Sequence, residues 1–138
     1  MCGVVPNTGE PGGGPFWVRG VDGVLSAQIV EAAQVDKAAP AQKVAFLAST
    51  HFNPVALACG LRDHLGRPYD LAKFRDPSAV FLSKKSRDGC PLRALELPGL
   101  WNGGMAHWLT LFVEVPLETF NPVKTVVDLL RPAHQPVA

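Results

Sequence analysis

A mixed α/β sheet is the fold class this sequence predicts, on three observations. Short apolar runs of strand length alternate with clusters rich in Gly, Pro and Asp. One run, Trp108 to Val115, is apolar on both alternating faces, as expected of a strand covered on both sides. Two segments, Pro40–Ser49 and Pro122–Arg131, open on a proline suited to a first helical position and continue without a breaker.

The elements follow in order. Cys2–Val5 is a first apolar strand with no leader before it, as if the chain began inside a fold, so a piece of a longer protein is expected. Asn7 to Pro15 is a loop dense in Gly and Pro, whose glycines allow the backbone to approach something closely, either a ligand phosphate or simply its own turns. Phe16-Trp17-Val18 and an Asp22-Gly23 turn lead to a strand over Leu25–Val35. The Pro40–Ser49 helix would turn Val44, Leu47 and Ala48 inward. Val55–Leu61 reads as a strand, and Arg62 to Pro77 as a surface excursion. Phe81 to Leu97 reads as a hairpin turning at Asp88-Gly89, with Leu92–Leu97 on its return arm. Trp108–Val115 is the last strand, stopped by Pro116.

Composition narrows the function classes. A chain of 138 residues, 47% hydrophobic and 18% charged, has material for one core and not two, so residues 1–138 form a single domain or part of one. With a net charge of +1 and no basic cluster beyond Lys84-Lys85-Ser86-Arg87, neither a nucleic-acid nor a membrane partner is indicated. Three widely spaced cysteines suit a reducing cytoplasm, and the four histidines show no ligand spacing with them, so no metal site is expected in the chain. A thiol enzyme is disfavoured because neither Cys59 nor Cys90 has a base nearby in sequence.

Phe-Asn-Pro-Val occurs twice, at Phe52–Val55 and Phe120–Val123. After the second copy, Asn121 is a suitable N-cap, and Lys124 falls in the first turn of a helix over Val123–Arg131. A cation there opposes the helix dipole unless an anion lies between, so Lys124 is either a phosphate contact or a solvated surface lysine. Glu31 places a carboxylate on the apolar face Leu25, Ala27, Ile29, Ala33, Val35; it is paired with an Arg or Lys, protonated, at the sheet edge, or facing a cavity. His51 is a core histidine or a site residue. In Pro98-Gly99-Leu100-Trp101-Asn102-Gly103-Gly104, Trp101 could stack on a sugar ring while Asn102 bonds its hydroxyls, or both could plug the sheet end.

Four ordered pieces, Cys2-Gly3-Val4-Val5, Gln28-Ile29-Val30-Glu31, Thr50-His51-Phe52, and Val113-Glu114-Val115 through Phe120-Asn121-Pro122-Val123-Lys124, resemble the C-terminal part of UDP-sugar pyrophosphorylases, notably the UDP-N-acetylhexosamine type. Nearly the whole chain is similar to a bacterial family labelled as domain of unknown function 4301, through Gly9–Trp17, Ser49–Val55, Leu97–Gly103 and Thr119–Val126. The first resemblance implies the C-terminal portion of a nucleotide-diphospho-sugar transferase fold, Rossmann-like and of GT-A type. It implies that Gly3 and Glu31 contact a sugar and Lys124 a diphosphate, with His51 and Asn121 beside them. The implied reaction joins a nucleoside triphosphate and a sugar 1-phosphate into a nucleotide sugar and pyrophosphate. Its nucleotide loop and Mg²⁺ ligands would lie outside this chain, which alone should be inactive. Ala32 stands where those enzymes have Tyr, and Leu47 and its neighbours where they have a sugar-contacting Asn, so the substrate is open. The other class that fits is a non-catalytic carbohydrate- or nucleotide-binding module, or a remnant fragment.

Overall fold

The computed structural model describes residues 1–9, 12–99 and 104–136. Its centre is a three-stranded mixed sheet in the order β4 (His51–Phe52), β1 (Cys2–Pro6), β7 (Phe112–Glu114). β1 runs antiparallel to β4, with Val5 opposite Phe52, and parallel to β7, with Gly3 opposite Val113. Flanked on both edges, β1 is the most deeply buried element: Cys2, Val4 and Val5 are at most 5% exposed. A fully apolar run is what such a position requires.

Two hairpins complete the strands. β2 (Gly14–Arg19) pairs antiparallel with β3 (Leu25–Val30). β5 (Phe81–Arg87) pairs with β6 (Cys90–Glu96), and Asp88 and Gly89 both take positive φ, the geometry a tight two-residue hairpin demands. The β2–β3 hairpin joins the central sheet through Ile29, which is fully buried with Cys2 and Met105 beneath Leu57, Trp108 and Phe112. The Ile29 N–H also points at Met105 Sδ, 3.5 Å away.

Several expected elements differ. The strand expected over Leu25–Val35 stops at Val30, because Glu31 and Gln34 form a capping box that starts a 3₁₀ turn over Ala32–Gln34. Glu31 is therefore the cap of a turn and not a carboxylate on a strand face. Val55–Leu61 forms no strand. Pro54 lacks an N–H, and Val55 lies at φ 63°, a left-handed conformation that interrupts the extended run after His51 and Phe52; beyond it Leu57 keeps only an isolated antiparallel bridge to Cys2. Trp108–Val115 shrinks to the three residues of β7 and is not covered on both sides: Leu109 is fully exposed and Leu111 largely so.

The helix α1 spans Pro40–Leu47, with Pro40 at its start as expected. Its expected inward stripe is wrong, since Val44 is 67% and Leu47 72% exposed and no residue of the helix is fully buried. The helix docks through Phe46, whose ring stacks on Phe16 of β2 with centroids 6.3 Å apart. Val44, two residues earlier and so about 200° around the helix, must then face away.

The chain exposes 10,097 Å². A compact monomer of 14.8 kDa would expose about 7,000 Å². Much of the excess is apolar, including Leu82, Leu95, Leu111 and Leu130.

Candidate functional site

The chemistry-bearing side chains gather around β4. His51 Nε2 lies 2.9 Å from Glu114 Oε2 on β7, so the pair spans the buried strand β1 between them. His51 Nδ1 lies 2.8 Å from Thr50 Oγ1. A hydroxyl, an imidazole and a carboxylate are thereby joined in series, with His51 about one quarter exposed and Glu114 mostly exposed. Such a chain of bonds sets the plane of the imidazole.

Asn53, next in sequence, is 4% exposed and ties three segments together. Its Nδ2 donates to the Gly3 carbonyl at 2.8 Å, its Oδ1 accepts from the Val55 N–H at 3.0 Å, and its own N–H donates to the Gly13 carbonyl at 2.9 Å. Every polar group of the side chain lies where water cannot replace its partner, so the residue acts as a buried clamp. Gly14 packs against the His51 carbonyl, where a Cβ would sit 3.0 Å from that oxygen. The close approach foreseen for the Gly-rich loop is thus to β4 of the protein itself.

Gly3, expected on the sugar side, is buried with both backbone groups engaged: its N–H donates to the Ala56 carbonyl at 2.7 Å and its carbonyl receives Asn53. A Cβ there would press on Ala56 Cβ at 3.0 Å, which is reason enough for glycine. Glu31 follows Val30, whose register partner is Gly14, so it stands at the β4 end of the β2–β3 hairpin. Trp101 and Asn102 lie outside the described residues.

The Lys124 corner is built differently from expectation. No helix begins at Asn121 or Pro122. The helical piece is a five-residue 3₁₀ helix, Val126–Leu130, capped by Thr125. Asp128 Oδ2 accepts from the N–H groups of Lys124 at 3.0 Å and Thr125 at 2.7 Å, and from Thr125 Oγ1 at 3.0 Å. A carboxylate from within the element satisfies the free donors that an anion was expected to meet, and Lys124 precedes the cap. The dipole argument for Lys124 therefore fails. What remains is position: Lys124 lines a depression of about 120 Å³ with Phe120, Pro122, Asp128 and Arg131. Asn121 lies half-buried beside it. The two Phe-Asn-Pro-Val copies meet edge to face, Phe52 and Phe120 with centroids 4.6 Å apart, so this corner adjoins the His51 pair.

A second, open groove of about 350 Å³ runs along α1 and β2 to Thr50 and His51. Trp17, 75% exposed, Phe16 and Ser49 are among the residues that line it. Sequence reasoning passed over Trp17, Thr50, Asn53, Glu114, Asp128 and Arg131. The recurrence of Asn in both Phe-Asn-Pro-Val copies could have singled out Asn53, and the Thr125-x-x-Asp128 spacing is a capping signature; nothing in sequence links Thr50–His51 to Glu114.

Two carboxyls frame these regions. Asp128 is held below its ordinary range by the N–H groups of Thr125 and Lys124, then by the Thr125 hydroxyl and Arg131. Glu96, in the β5–β6 hairpin, is held low by Lys85 and the Ser83 hydroxyl. Burial pushes the Cys2 thiol up, and Cys59 and Cys90 are exposed free thiols. Among the described residues no helix is long and apolar enough to cross a membrane, and no group of three or more His, Cys, Asp or Glu could hold a metal ion.

No curated protein and no solved structure matches this chain. A family profile does, over residues 1–135, nearly the whole length that carries the β4–β1–β7 sheet, both hairpins and the Lys124 corner. The chain belongs to the family described as Domain of unknown function (DUF4301).

Proposed function

We propose that this chain forms the sugar-phosphate side of a sugar-1-phosphate nucleotidyltransferase of nucleotide-diphospho-sugar transferase fold, with the nucleotide loop and the Mg²⁺ ligands carried by polypeptide outside this sequence. One observation carries the reading. The four segments that resemble UDP-sugar pyrophosphorylases are far apart in sequence yet adjacent in space. Three of them supply β1, β4 and β7 of one sheet, and the fourth, ending at Glu31, reaches β4 through Gly14. The uncovered apolar area supports the same reading, since a layer of further polypeptide would bury it.

In that reaction an oxygen of the sugar 1-phosphate attacks the α-phosphorus of the nucleoside triphosphate. The new P–O bond forms as the bond to the β-phosphate bridging oxygen breaks, and pyrophosphate leaves with the electron pair. The residues described here do not compose a Mg²⁺ site, so the charge this chain brings is that of Lys124 and Arg131. Fixed cations stabilise a phosphoryl-transfer transition state because they need no reorganisation as charge shifts. The groove beside Thr50 and His51, lined in part by Trp17, has dimensions suited to a sugar and an aromatic residue at hand to stack on it. A cytoplasmic setting accords with the exposed thiols of Cys59 and Cys90.

The test is turnover by the intact parent protein with a panel of nucleoside triphosphates and sugar 1-phosphates. Lys124→Ala should lower turnover by a factor on the order of 10²–10³ with little change in melting temperature. A folded parent that turns over no pair would sink the proposal. The second reading, a carbohydrate- or nucleotide-binding module without catalysis, is favoured by one feature: both ring nitrogens of His51 are engaged, by Thr50 and Glu114. It predicts saturable binding of the same ligands with no product.

A further inference from the structure

We propose that Arg131, held in place by Asp128, joins Lys124 to form a seat for one phosphate group on the Phe120–Pro122 corner. The seat deepens the reading above and depends on it only for what carries the phosphate.

Three features converge there. Asp128 is 9% exposed and uses one carboxylate oxygen to fasten the Lys124–Thr125 backbone and the other to hold Arg131, with Nη2 to Oδ1 at 2.7 Å. The same side chain thus fastens both the backbone at Lys124 and the guanidinium of Arg131, two residues that line the depression. A guanidinium has five N–H donors in a rigid fork, and pinning it by one edge presets the rest for a phosphate and reduces the entropy lost on binding. Lys124 makes no ion pair among the described residues. Two cations against one carboxylate leave the depression with one net positive charge, while Phe120 and Pro122 supply an apolar floor that strengthens attraction to an anion.

Size selects the ligand. At ~30 Å³ per water, the depression of about 120 Å³ holds about four waters, or one tetrahedral oxyanion.

The seat can be read directly on this chain by ¹H–¹⁵N NMR, following the Arg131 Nε–H and the Lys124 and Thr125 amides. Inorganic phosphate, glucose 1-phosphate and sodium chloride would be titrated at constant ionic strength. Phosphate and glucose 1-phosphate should both shift these signals saturably, and chloride should not. Tighter binding of the ester marks a sugar phosphate as the carrier, and equal binding marks the phosphate group alone; either upholds the seat. Arg131→Ala and Lys124→Ala should each weaken binding about tenfold, the loss of a charge-assisted bond in a partly exposed site. Arg131→Lys, which keeps the charge but not the fork, should weaken it by a smaller factor with the fold intact. Binding unchanged in Arg131→Ala, or shifts induced equally by chloride, would overturn the seat. Phosphate binding that needs Arg131, in a parent that transfers no nucleotide, would uphold the seat and sink the enzyme reading. Turnover indifferent to Arg131→Ala would do the reverse.

Discussion

The β5–β6 hairpin and the β4–β1–β7 sheet invert the usual relation between regularity and burial. The hairpin is the longest pairing among the described residues, seven residues on each arm, yet none of its residues is fully buried. The central sheet has strands of two, five and three residues, and it holds Cys2, Val4, Val5 and Phe52 in the core. The hairpin stands on local chemistry: a turn with two positive φ angles, and a Lys85–Glu96 ion pair at 2.7 Å reinforced by the Ser83 hydroxyl. The sheet stands on contacts between residues some fifty or more apart in sequence, above all Asn53 to Gly3 and His51 to Glu114. Local order and the candidate site are thus built by different forces, and they should fail separately.

Asn53→Ala should break the sheet with the largest effect. It deletes two bonds and leaves the buried Gly3 carbonyl unpaired, a loss of about 2–4 kcal/mol, read as a lower urea midpoint. Leu95→Ala, in the hairpin at 66% exposure, should stay within about 0.5 kcal/mol of the parent. Equal losses in the two variants would abolish the distinction.

Gly89→Ala attacks the hairpin alone. At φ 79° an added Cβ costs ~1–2 kcal/mol, so amides of β5 and β6 should exchange faster while those of β1 keep their protection. Protection lost in both regions together would mean they unfold as one unit.

Val55→Gly sharpens the comparison from the other side. Val55 is a β-branched residue held at φ 63° by the Asn53 clamp. Relief of ~1–2 kcal/mol of strain, offset by ~0.5–1 kcal/mol of glycine entropy, should leave the protein more stable by up to about 1.5 kcal/mol. A variant that melts lower would show that the Val55 side chain packs usefully despite its exposure.

Acid should have the smallest and most local effect. Asp128 and Glu96 both have folded pKa values below their unfolded ones, about 3.9 for Asp and 4.3 for Glu. Their stabilisation is present in full above those values and fades as pH falls through the lowered folded ones. Asp128→Asn should flatten the acid limb of the stability curve measured at the Lys124 corner, and Glu96→Gln that of the hairpin. An acid limb unchanged by either substitution would remove both carboxyls from the account.

The difference between these regions also separates what sequence could reveal from what it could not. The Asp88-Gly89 hairpin, the Pro40 helix start and the Cys2–Val5 strand were all legible, because turn geometry, proline at a first helical position and a continuous apolar run are properties of a few adjacent residues. The end of β3 at Val30 was misjudged because hydrophobic spacing outweighed the Glu31–Gln34 capping signature, and the cap at Thr125 because Asn121-Pro122 offered an earlier cap and first helical position. At the site, one of the two grounds for Lys124, the helix dipole, fails because Asp128 satisfies the backbone donors, while the structure adds its place in the depression. The pairing of His51 with Glu114, the Asn53 clamp and the contact between the two Phe-Asn-Pro-Val copies were decided by tertiary structure alone. Each depends on which strands flank β1, and strand order is set by long-range burial that no local spacing encodes.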